Sequence, residues 1–187
     1  MKKELIGIIG ENGSGKDTFC EFLRESLSSE RVEFLKFSDP LTEVLHIFFD
    51  KVSREDQQWL VNNLRERFGK DILTKAIEKK IKQSKKEICV LNGIRVFDDY
   101  LFLKEKEGYL IYVTASKERR WERLNKRGEK RDDRASFEEF LKKEDNPTER
   151  DIPEIGKYAD FVVDNNSGLG NLKEQALEVI KKINEKG

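Results

Sequence analysis

The sequence is poor in several residues that usually announce a function. Its 187 residues include 2 Cys, 3 Pro and 1 His. Two cysteines provide neither a disulfide framework nor a zinc-ligand set. Cys89 sits in an apolar run and Cys20 in a helical pattern, so both read as small core residues. His46 lies alone on a helical stripe, where a packed or half-buried ring is expected, and no Ser–His–Asp or Cys–His arrangement forms around it. No apolar run approaches the ~18 residues of a membrane span. Met1-Lys2-Lys3 leads into a short apolar run without a cleavage site, so a cytoplasmic protein, monomeric or homodimeric, is expected. An excess of either charge is also missing, because 37 Lys and Arg balance 37 Asp and Glu. That balance, with no platform of interleaved aromatic and basic residues, argues against nucleic acid or a membrane surface as partner.

What is present points to a folded enzyme-sized unit. Charged residues make up 40% of the chain, but their signs cancel, and 12 Phe stand among the 36% hydrophobic residues. Such a chain folds rather than staying disordered, and residues 1–187 read as one domain. Five apolar runs read as buried parallel strands: Leu5–Ile9, Val32–Phe37, Ile88–Leu91, Leu110–Val113 and Phe161–Val163. Helical stripes separate them, among them Leu41, Val44, Leu45 and Phe48, then Trp59, Leu60, Leu64 and Phe68. Alternating strands and helices predict a parallel sheet covered on both faces. Two segments interrupt the alternation. Residues 38–84 hold extra helices suited to binding a substrate, and the charged, Pro-containing stretch within 117–158 is expected to form a mobile cover without a strand.

The first strand runs into Gly10-Glu11-Asn12-Gly13-Ser14-Gly15-Lys16-Asp17-Thr18. Gly-x4-Gly-Lys is the spacing of a phosphate loop, here with Asp17 in place of the usual hydroxyl residue. Glycines let successive backbone N–H groups turn inward around phosphate oxygens. The helix that follows adds its positive end, and Lys16 can reach the β- and γ-phosphates. Asp17 can hold magnesium directly or through water, since that ion prefers oxygen ligands, or simply suit the first turn of a helix. Thr18 offers a hydroxyl to the α-phosphate or back to its own helix.

Gly-Ser-Gly-Lys-Asp-Thr, with Phe37-Ser38-Asp39-Pro40-Leu41 after the second strand, resembles the deoxynucleoside monophosphate kinases. The later segments Asn92-Gly93-Ile94-Arg95 and Ala159–Asn165 are similar to a wider group that holds dephospho-coenzyme A kinases and adenylate-kinase-like archaeal proteins. The resemblance implies a P-loop NTPase fold, a three-layer α/β/α sandwich around about five parallel strands, with a helical acceptor-binding insertion and a lid. It implies ATP and Mg2+ as cofactors and transfer of the γ-phosphoryl group to a nucleoside or deoxynucleoside monophosphate. A small-metabolite kinase of the dephospho-coenzyme A type and a nucleotide-binding NTPase or regulatory module stand beside that reading.

Ligands of open parallel sheets bind beyond the carboxyl ends of the strands. Ser38 and Asp39 therefore face a candidate acceptor, Asp39 as base or hydroxyl orienter, although Asp39 could equally begin a helix. Arg65, in a segment that resembles the Leu-Arg-x-x-Phe-Gly segment of several nucleotide-kinase-like proteins, and Arg95, after the third strand, are candidates for an acceptor phosphate. Asn92 departs from the family's Asp and keeps the shape of that side chain without its charge. Arg120, Arg123 and Arg127 share one helical face and resemble the arginines of a kinase lid, able to cover transferred charge. Ion pairs with Glu118, Glu122 and Glu129 are the structural alternative. By resemblance, Asn165 borders the adenine of ATP; it could also be a plain turn residue.

Overall fold

Each of the five apolar runs is a strand in the computed structural model, which describes residues 3–127, 135–145 and 147–185. In chain order the elements are β1 (Glu4–Ile9), α1 (Lys16–Ser26), β2 (Val32–Lys36), α2 (Asp39–His46), α3 (Arg54–Phe68), α4 (Ile72–Gln83), β3 (Ile88–Ile94), α5 (Phe97–Glu105), β4 (Tyr109–Thr114), α6 (Lys117–Arg127), α7 (Phe137–Glu144), α8 (Pro147–Gly156), β5 (Phe161–Asp164) and α9 (Leu169–Asn184). The strands pair in parallel in the order β2-β3-β1-β4-β5.

The alternation of side chains along a strand divides the core in two. Leu5 and Ile9 of β1 face a cluster with Leu41, Ile77, Leu103 and Ile152, so α2–α5 and α8 cover that side. Ile6 and Ile8 face Phe19 and Leu23 of α1 and Leu172 and Ala176 of α9 on the other. Cys20 and Cys89 are buried with free thiols, and burial lifts the Cys20 thiol to about 12, which keeps it protonated and inert. The chain leaves β1 for one side of the sheet, returns through β3, and then crosses to β4. The helices after β1 and β3 lie on opposite faces, which opens a crevice at the carboxyl ends of these two neighbouring strands.

Three expectations change. The stripe on α2 buries Leu41 and Leu45, but Val44 and Phe48 are exposed, Phe48 at 74%. On α3, Val61 is the buried residue, while Trp59 and Phe68 face solvent. The reason is that α2 and α3 extend from the sheet with partners on one side, so part of each apolar stripe has nothing to pack on. His46 is exposed, with Nδ1 3.1 Å from the Phe49 carbonyl oxygen. The charged stretch before β5 contains two helices. Ser136 caps α7 by accepting from Glu139 N, and Glu139 accepts from Ser136 N in return. Pro147 starts α8, a position where its missing N–H costs nothing. Residues 128–134, including Glu129, lie outside the described residues. Among the described residues no helix is long and apolar enough to cross a membrane.

Candidate active site

The loop from Gly10 joins the end of β1 to α1. Gly13 and Gly15 have φ of +80° and +92°, a left-handed region that side chains disfavour. A Cβ on Gly13 would stand 2.6 Å from the Arg120 carbonyl oxygen, and one on Gly15 would collide with the Asn165 amide. The loop is thus wedged between α6 and the end of β5. Ser14 N donates to Glu11 O at 3.1 Å, and the Asn165 amide donates to Ser14 O at 2.8 Å. The Ser14 hydroxyl is buried without a partner. Thr18 is half-buried in the first turn of α1. Glu11, not anticipated, is buried under the loop and accepts from the Tyr112 and Thr114 hydroxyls, while its Oε2 meets no donor. The strain and the packing together hold a preformed turn of backbone N–H groups.

Lys16 opens α1, with Nζ 3.5 Å from Asp17 Oδ2. Burial pulls its ammonium below the ordinary lysine range, with Asp17 opposing. For Asp17, burial acts upward, but Lys16 and a hydrogen bond from Asn92 hold the carboxyl below its usual range. Asn92, at the end of β3 and 6% exposed, donates Nδ2 to Asp17 Oδ1 at 2.9 Å. Its Oδ1 is buried without a partner. Two oxygen-bearing side chains, an anionic one and a neutral one with an unspent acceptor, thus meet where the crevice opens. Among the described residues no group of three His, Cys, Asp or Glu could hold a metal. The pair suits an ion that takes few protein ligands and fills its shell with water and phosphate, as magnesium does.

A cavity of about 420 Å³ runs from Lys16 and Asp17 under α2 and α3. Ser38, Arg65, Asn92 and Arg95 all line it, as do Asn12 and Arg127. Arg65 Nε is buried without a partner. Arg95 is ion-paired with Glu149 of α8, which reaches back over the end of β3. Lys36 and Asp99, which sequence reasoning passed over, also line the cavity. Neither stands in a motif: Lys36 ends β2 and Asp99 lies in the first turn of α5. Burial raises Asp99 to about 6, although it accepts from Arg95 N at 3.2 Å and Val96 N at 3.5 Å. Asp39 does not line the cavity. Its carboxylate accepts from Lys36 N at 2.7 Å, which closes the turn from β2 into α2. The reading in which Asp39 begins a helix is what the geometry builds.

The three arginines of α6 share a side but reach different places. Arg120, 3% exposed, forms a bidentate pair with Glu144 of α7 at 2.5 and 2.7 Å, and its Nε donates to Ala115 O. This spends its guanidinium inside the protein. Arg123 donates to Asn165 O at 2.6 Å and reaches Ser14 O at 3.5 Å. Arg127 lines the main cavity. Asn165 is 4% exposed and ties the loop to β5. A smaller hollow beside it, about 170 Å³, lies between Arg119, Arg123 and Lys126 on one side and Asn166, Ser167 and Gly168 on the other.

A phosphate loop after the central strand of this parallel sheet, with helices on both faces, defines a P-loop kinase-like α/β protein. The chain belongs to the AAA domain family AAA_18, whose model matches residues 6–146, and to the UPF0200 proteins. It is 30% identical over 183 residues to a UPF0200 protein of Sulfurisphaera tokodaii, covering 96% of this chain and 97% of that one. Among solved structures it is similar to shikimate kinase from Bacteroides thetaiotaomicron, with a TM-score of 0.66 and 15% identity over 97% of this chain and 98% of that one. Shikimate kinase from Acinetobacter baumannii in complex with shikimate has a TM-score of 0.56 and 18% identity over 98% and 94%. At these identities the structures show a shared fold.

Proposed function

We propose that this protein is an ATP-dependent phosphotransferase that moves the γ-phosphoryl group to a nucleoside or deoxynucleoside monophosphate. The observation that carries the acceptor's class is Arg65. Its planar, permanently charged group has a buried Nε without a partner in the wall of the cavity, an arrangement suited to an oxyanion. Arg95 and Lys36 line the same cavity. Phosphoryl transfer depends on positioning and on neutralising charge spread over the transferred oxygens. In this reading the loop N–H groups cradle the phosphates of ATP, Lys16 reaches the β- and γ-oxygens, and Arg127 faces the transferred charge. The nucleoside of ATP occupies the hollow between α6 and residues 166–168. Asp17 and Asn92 Oδ1 hold magnesium, which when bound neutralises phosphate charge. The acceptor phosphate is already anionic, so no side chain has to remove its proton, which accords with an Asp39 turned onto Lys36 N.

A small-metabolite kinase remains the second reading, favoured by the likeness in fold to a shikimate kinase in complex with shikimate. A panel of ribo- and deoxyribonucleoside monophosphates, dephospho-coenzyme A and shikimate, each with ATP and magnesium, separates the two. Phosphoryl transfer to one or more monophosphates is expected. Transfer to shikimate or dephospho-coenzyme A alone, or to none by a folded protein that binds ATP, overturns the nucleotide reading.

A further inference from the structure

The wall of the acceptor cavity contains a side chain whose hydrogen-bonding sense is fixed by its neighbours. Gln57, one of three residues at four-residue spacing on α3 that line the cavity with Val61 and Arg65, donates Nε2 to Thr42 Oγ1 at 2.7 Å. The Thr42 hydroxyl has a single proton, and it goes to Ser38 O at 3.1 Å. Thr42 can therefore only accept from Gln57, and the amide cannot turn around without losing that bond. Gln57 Oε1 is left as an acceptor that no donor meets among the described residues.

The distance along the helix gives this acceptor a place on a nucleotide. Gln57 and Arg65 are eight residues apart, about 12 Å along the axis. Arg65 acts electrostatically on Asp99, whose carboxylate accepts from Arg95 N, so the Arg65 end of the cavity lies beside the end of β3. Leu41 and Val52 line the same cavity and give it apolar wall for a flat ring. A phosphate at Arg65 and a base at Gln57 leave the intervening length for the sugar.

We infer that Gln57, oriented by Thr42, selects acceptors whose base carries an amino group at purine C6 or pyrimidine C4, adenine or cytosine, against bases with a carbonyl at that position. The inference rests on the nucleotide reading of this cavity. An amino group donates to Oε1, whereas a carbonyl would face it oxygen to oxygen and leave both unpaired. Equilibrium binding of adenosine, cytidine, inosine and uridine monophosphates tests it. The two amino-bearing nucleotides should bind about tenfold more tightly than the other two, the effect of about one neutral hydrogen bond. Thr42→Val frees the amide to turn, and Gln57→Leu removes it; in each the ratio should fall to about one, with an unchanged thermal melt as the check on folding. Arg65→Gln should weaken all four by a common factor. Equal or tighter binding of inosine and uridine monophosphates by the wild type overturns the role of Gln57. So does a ratio that survives both variants. Failure of all four to bind overturns the nucleotide reading instead.

Discussion

Asp99 illustrates how burial alters a single carboxyl group. It is 5% exposed, and desolvation raises it to about 6 despite the backbone donors of Arg95 and Val96. An unfolded Asp titrates near ~3.9. Between these values the folded chain binds more protons than the unfolded one, so stability falls as pH rises. The contribution is complete below about pH 4, is lost as pH passes about 6, and amounts to about 3 kcal/mol. The expected result of urea unfolding across this range is a free-energy difference between wild type and Asp99→Asn that declines toward higher pH. A difference independent of pH would show that Asp99 titrates as an ordinary carboxyl. None of this was legible in Phe97-Asp98-Asp99, because nothing in that stretch tells which of the two acids is buried. The turn of the loop glycines and the helix that Lys16 opens were legible, because their backbone geometry is set by neighbours in the chain.

At the scale of elements, the five strands were legible as short apolar runs: β1, β3 and β4 are buried along most of their length, and even the edge strands β2 and β5, with Lys36 and Val162 exposed, are mostly apolar. The partial exposure of α2 and α3 was not, because a stripe reveals an apolar face without revealing whether anything covers it. α7 and α8 were missed because two prolines and dense charge disguised them. Yet α7 provides the clasp of Arg120, whose guanidinium pairs with Glu144 and lies over the Phe140 ring at 5.4 Å. Removing one partner of a buried pair leaves the other charge stranded. Glu144→Ala is expected to lower stability by about 3 kcal/mol, read as an earlier urea midpoint. Replacing both residues by apolar ones should recover most of the loss. Equal destabilisation by the single and double changes would refute a stranded charge. Because the Arg120 backbone also abuts Gly13, loosening α6 should weaken ATP binding as well as folding.

For the whole molecule, zero net charge does not prevent a local gathering of cations. Lys16, Lys36, Arg65, Arg95 and Arg127 line one cavity, drawn from α1, β2, α3, the end of β3 and α6. A ligand that binds the folded state alone stabilises it by about 2.7 kcal/mol at a hundred times its dissociation constant. For a domain of this size that is a rise in melting temperature of about 5–10 °C. ATP with magnesium should produce such a rise, and Lys16→Ala should abolish it while leaving the melting temperature without ATP nearly unchanged. A Lys16→Ala protein that keeps the full shift would remove the loop from the binding site. The sequence by itself determined the strand–loop–helix that would cradle a phosphate, the parallel sheet and the two segments that interrupt it. Those properties follow from spacing and periodicity, which are local. The tertiary structure decided which candidates face the cavity: it aims Arg65 and Arg127 inward, spends Arg120 on Glu144 and Asp39 on Lys36 N, and brings Asn92 to Asp17 across 75 residues. Direction of a side chain and the partner it meets depend on the register of distant strands, which no short stretch of sequence encodes.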